Sequence, residues 1–145
     1  MCTVLIFAVL AIAVPDRPDP TPKQAPPPLP EQIIGEWQLV KHVIAGNDIP
    51  ELNGLLMVFG RENMQHVHLR NGMRQPGGTF PYTLDATKSP AVIEFRSSKF
   101  IGIIKVEGDL LTICFARSGD LRPPSDFVSQ PNASTTLLQA TRLKK

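Results

Sequence analysis

Cysteine is nearly missing from this chain of 145 residues, which holds only Cys2 and Cys114. Cys2 falls in a segment expected to be cleaved or membrane-embedded, so Cys114 is left without a partner and a disulfide framework is excluded. Charge of either sign is also sparse. Fifteen Lys and Arg against 13 Asp and Glu leave a formal net charge of +2, with no acidic tail. Nucleic-acid binders concentrate basic residues on one face, so this balance argues against a nucleic-acid partner. There is a single tryptophan, Trp37, and there are three histidines. No Gly-x-Ser-x-Gly, His-Glu-x-x-His or phosphate-loop pattern occurs, which removes the commonest hydrolase, zinc-protease and nucleotide signatures.

Long apolar runs are scarce too. Cys2 to Val14 is apolar apart from Thr3, shorter than the ~20 residues a spanning helix needs. Ala11-Ile12-Ala13 supplies the small-x-small pattern at which signal peptides are cut, although no Lys or Arg precedes the run. Residues 1–14 therefore read as a signal-peptide-like segment. The protein is expected to be extracytoplasmic: secreted, periplasmic or in the cell envelope.

Proline is the exception to scarcity, with 15 in the chain. Residues 15–30, PDRPDPTPKQAPPPLP, read as an extended linker, because proline fixes φ and removes backbone donors. Residues 31–145 form the expected domain.

In that domain short apolar runs alternate with Gly, Asn, Asp and Pro, and no window keeps a helical period for three turns. The pattern predicts eight short strands: Gly35 to Ile44, Leu55 to Phe59, Met64 to Arg70, Gly78 to Leu84, Ala91 to Arg96, Phe100 to Glu107, Leu110 to Ala116 and Ser134 to Leu143. Pro50 to Asn53 is expected to form a helical turn, and Asn71-Gly72 a hairpin turn. In the first strand Trp37, Leu39 and Val43 share one face, and Glu36, Gln38 and His42 the other. Eight antiparallel strands joined by short turns can close on themselves, giving an all-β, up-and-down barrel; a two-sheet sandwich is the competing arrangement.

Gly35-Glu36-Trp37, with Arg142 in the last strand, resembles the lipocalin pattern, in which a tryptophan packs under an arginine of the closing strand. Gly78-Thr79-Phe80-Pro81-Tyr82-Thr83-Leu84-Asp85, Pro90, Gly102-Ile103, Gly108-Asp109-Leu110-Leu111-Thr112-Ile113-Cys114, Arg122-Pro123 and Phe127 follow in order. Over residues 33–143 the chain is similar to a small lipocalin-like domain family abundant in planctomycetes, often exported and of unknown function. The resemblance implies a lipocalin-like barrel with Gly35, Trp37 and Arg142 as structural residues. It brings no catalytic residues.

The chemistry-bearing residues are few. His66 and His68 alternate on one strand face, as metal ligands would, but no carboxylate or thiol completes a set, and a solvated polar face is the plainer reading. Cys114 lies in an apolar strand without a nearby histidine and reads as an inert thiol. Phe127 is expected to cap the barrel mouth, with Arg122 paired to a carboxylate. The expected function is non-enzymatic, needing neither cofactor nor metal. It is binding of a small apolar ligand, lined by Trp37, Phe59, Tyr82, Phe95 and Phe115. The alternative is a filled barrel serving as a structural or protein-interaction module of the cell envelope.

Overall fold

The computed structural model describes residues 25–116, 122–131 and 133–144. The signal-like segment, Cys2 and the linker up to residue 24 lie outside the described residues. Among the described residues a helical turn α1 (Leu29–Gln32) is followed by nine strands: β1 (Gly35–Ile44), β2 (Asn47–Asp48), β3 (Leu56–Phe59), β4 (Asn63–Arg70), β5 (Met73–Asp85), β6 (Ala91–Phe95), β7 (Phe100–Glu107), β8 (Leu110–Ala116) and β9 (Thr135–Arg142). From β3 to β9 each strand lies beside the next, and β1 joins β3 to β9, with every pairing antiparallel. The β1–β9 ladder runs from Trp37 opposite Arg142 to Ile44 opposite Thr136. That ladder closes an eight-stranded antiparallel barrel, and closure leaves those two strands without free edges. The two-residue β2 is an extra strand, held to β1 through Val43 and Ile44.

The turns follow from residues that tolerate positive φ. Asn71 and Gly72 have φ of 50° and 75°, and Ala45 and Gly46 have 48° and 79°, the combination that matches the twist of a two-residue hairpin. Pro50–Leu52 forms a 3-10 turn before β3.

Alternation then sets the interior. Ile93 and Phe95 of β6, Ile104 of β7, Leu111 and Ile113 of β8 and Ala140 of β9 meet in one buried cluster with Trp37, Phe59 and Tyr82. The rings interlock edge to face: Phe59 on Tyr82 at 5.6 Å and Phe95 on Phe115 at 5.4 Å between centroids, the geometry that ring quadrupoles favour.

Three departures from the sequence pattern matter. Val40 is bulged out of the β1–β9 ladder, which jumps from Leu39–Ala140 to Lys41–Gln139. A bulge inserts one residue and so reverses the alternation beyond it. His42, expected on the outer face with Glu36 and Gln38, consequently turns inward opposite Leu138 and is buried, while Val43 moves to the outer wall opposite Leu137. Second, β5 begins at Met73, not Gly78, because residues 73–76 pair with β4 across the Asn71-Gly72 turn. A second register shift lies where Gln65 and Val67 face Thr79 and Pro76. The hairpin arm folds back so that Arg74 makes two hydrogen bonds to the Glu36 carboxylate, at 2.9 and 2.5 Å. Third, Leu29 and Pro30, assigned to the linker by composition, open α1, and Leu29 packs against the core. Proline suits a first helical turn, where its missing N–H has no bond to lose.

Candidate functional site

The two ends of the barrel differ. At one end α1 and Ile33 sit under Trp37, which is wholly buried and whose indole Nε1 donates to the Ile33 carbonyl at 2.8 Å. The Arg142 guanidinium stacks over the indole with its carbon 4.1 Å from the ring centre. Its Nη1 donates to the Ile34 carbonyl at 3.2 Å, and its Nη2 donates to the Gln32 carbonyl. Gly35, at φ +129°, leaves the space: a Cβ there would sit 3.2 Å from Arg142 Nη1. Gly35, Trp37 and Arg142 thus form one stopper. A shallow outer groove of about 530 Å³ runs beside it, lined by Ile33 and Tyr82 but also by Arg61, Glu62 and Arg96.

Among the described residues the opposite end is open. A hollow of about 250 Å³ is lined by His42, Ile44, Phe100, Phe115, Ala116, Thr136 and Leu138. It shares Phe100, Phe115 and Leu138 with a deeper recess of about 80 Å³ that reaches Met57, Met64, Phe80, Phe95, Ser98 and Ile113. The deep recess exposes no polar surface. Sequence and topology explain the opening. Strand β5 pairs with β6 only from Tyr82 to Asp85, and above that point Phe80 and the β6–β7 turn face each other across the recess.

Two glycines give the rings their room. A Cβ on Gly102 would lie 2.6 Å from Phe115 Cδ1 and 2.5 Å from the Cys114 carbonyl oxygen, and one on Gly78 would lie 2.8 Å from the tip of Phe80. Only a residue without a side chain admits these contacts.

Comparison of the chain with protein-family models, curated proteins and solved structures finds no match in any of the three.

Of the five residues expected to line a ligand site, Phe95 and Phe115 border the hollow and its recess. Trp37 and Phe59 belong to the packed interior. Tyr82 is buried there too, edges the outer groove, and donates its hydroxyl to the Gly60 carbonyl at 2.6 Å. Burial raises its phenol pKa. His42, Phe80, Phe100 and Leu138 were missed as lining residues. Nothing in the sequence marks the bulge that brings in His42.

His42 is 7% exposed, and its Nδ1 is buried with no hydrogen-bond partner among the described residues. Burial lowers its pKa, against an opposing pull from the Asp48 carboxylate. His66 is not on a solvated face: opposite Met57, it packs its ring 4.9 Å from that of Phe80. Burial, and then the neighbouring His68, lowers its pKa. Among the described residues no three His, Cys, Asp or Glu side chains gather as a metal set.

Phe127 does not cap the mouth. It packs against the outer-wall cluster of Val43, Ile103, Cys114 and Leu137, with Lys105 Nζ 5.1 Å above its ring. Arg122 is exposed. Cys114 is fully buried, its Sγ lies 3.7 Å from the Val128 carbonyl, and burial together with Asp126 pushes the thiol up to about 11. A thiol so rarely ionised is a poor nucleophile at neutral pH.

Proposed function

We propose that the protein is a non-enzymatic, lipocalin-like binding domain that takes a small, mainly apolar molecule into the open end of its barrel. One observation carries this reading: an apolar hollow of about 250 Å³, ringed by Phe100, Phe115 and Leu138, adjoins a recess lined by Met57, Phe95 and Ile113 of the core. Apolar concavities with few polar groups are the usual form of small-molecule sites. By scaling from a 150 Å³ cavity that holds benzene, the hollow suits a body of ~10 heavy atoms. The signal-like run and the proline-rich linker favour a domain that works outside the cytoplasm.

The test is calorimetric titration of the full chain with ethylbenzene. Saturable binding is expected, weakened when Phe115→Trp fills the hollow and unchanged when the closed-end groove is altered by Arg61→Ala. Absence of saturable binding would overturn the reading in favour of a barrel without a ligand.

A further inference from the structure

We propose that the natural occupant of the open end is an uncharged molecule bearing a hydroxyl group, a phenol or a short alcohol, hydrogen-bonded to His42. The inference rests on the binding reading above and deepens it.

Buried polar atoms in proteins almost always have partners, and leaving one unpaired is costly. His42 lines the hollow, yet its Nδ1 is shut off from solvent and has none among the described residues, so an occupant meets that nitrogen only where the imidazole turns about its Cβ–Cγ bond. The placement comes from the Val40 bulge, without which this imidazole would stand on the outer wall. Bulges re-aim side chains beside functional sites. The remaining lining is aliphatic or aromatic apart from Thr136, with Ser98 in the recess.

The charge of the occupant follows from what surrounds the ring. Burial favours the neutral imidazole, which offers one donor and one acceptor. A hydroxyl can satisfy either. A carboxylate would enter an apolar site already under the negative field of Asp48. An ammonium would be drawn by that field but would find no acidic side chain in the lining to pair with. An uncharged head on an aromatic or short aliphatic body meets neither obstacle.

The experiment titrates the full chain at neutral pH with three probes of similar shape: para-ethylphenol, ethylbenzene and para-ethylbenzoate. The expected result is para-ethylphenol binding roughly five- to tenfold tighter than ethylbenzene, as one added hydrogen bond gives, with para-ethylbenzoate weakest. His42→Phe should erase the preference for the phenol over ethylbenzene. Independently of any variant, the imidazole nitrogen resonances of His42 should shift strongly with para-ethylphenol and only slightly with ethylbenzene. Equal binding of the phenol and ethylbenzene, an unshifted His42, or a preference for para-ethylbenzoate would each overturn the assignment while leaving the binding site standing. Failure of all three probes would overturn both.

Discussion

The two ends of this barrel are built from the same alternation and differ in what stands behind the rings. At the closed end every polar atom of the stopper has an answer. The indole N–H meets the Ile33 carbonyl, and the guanidinium meets two carbonyls and an aromatic face. At the open end the rings lean on glycines, the wall parts above Tyr82, and one imidazole nitrogen is left over. Stability is expected to concentrate at the first end and adaptability at the second. A satisfied, desolvated cluster resists change, whereas an incompletely filled one has already forgone part of its contact energy.

The sharpest way to break that contrast is Trp37→Ala. Truncating a wholly buried tryptophan should cost about 3–5 kcal/mol, enough to threaten a domain whose total stability is of order 5–15 kcal/mol. Circular dichroism in urea reads the loss, since the sole tryptophan signal goes with the side chain. A cost near 1 kcal/mol would mean that the indole does not stopper the barrel. Next comes Arg142→Met, which keeps the stem and removes the fork. Losing the stacking and leaving the Ile34 and Gln32 carbonyls without it should cost about 2 kcal/mol. A variant as stable as the parent would reduce the guanidinium to a surface ornament. At the open end, Phe100→Ala removes a ring that is already 36% exposed. About 1 kcal/mol is expected, below the 3–5 kcal/mol of a fully buried phenylalanine. A loss as large as that of Trp37 would erase the distinction between the ends.

The closed end was the more legible of the two. Gly35, Trp37 and Arg142 are named through the resemblance to the lipocalin pattern, a pattern that depends on residue type: a missing Cβ, an indole and a planar cation. Strand bounds were legible where apolar and polar residues alternate cleanly, as in Phe100–Glu107 and Leu110–Ala116, both of which the structure reproduces. The open end was not, for two physical reasons. A bulge is decided by how two ladders fit. Val40 looks like any strand valine, so the inward turn of His42 had no local signal. Residues 73–78, MRQPGG, carry the composition of a loop, yet the Asn71-Gly72 turn and pairing with β4 hold residues 73–76 as strand. Tertiary pairing overrides weak strand propensity. The misplacement of Phe127 has a similar origin: an aromatic in a long loop announces burial, not which wall it will cover.

The smallest expected effect is a response to mild acid, and it too separates the ends. The chain's three histidines are His42, His66 and His68, and the two with depressed pKa values, His42 and His66, turn toward the interior above the stopper. A depressed pKa means that below the ordinary value of 6.5 the unfolded chain takes up protons that the folded one refuses. Stability is therefore full above that value and declines as pH falls through it. Carboxylates titrate around pH 4, so urea midpoints compared at pH 7.5 and pH 5.5 isolate the imidazoles. The parent should be less stable at the lower pH, and His42→Phe and His66→Phe should each remove part of that difference. If the pH dependence survives both inward substitutions, the acid response arises elsewhere in the molecule, and the open end loses its claim to hold the protein's buried titrating groups.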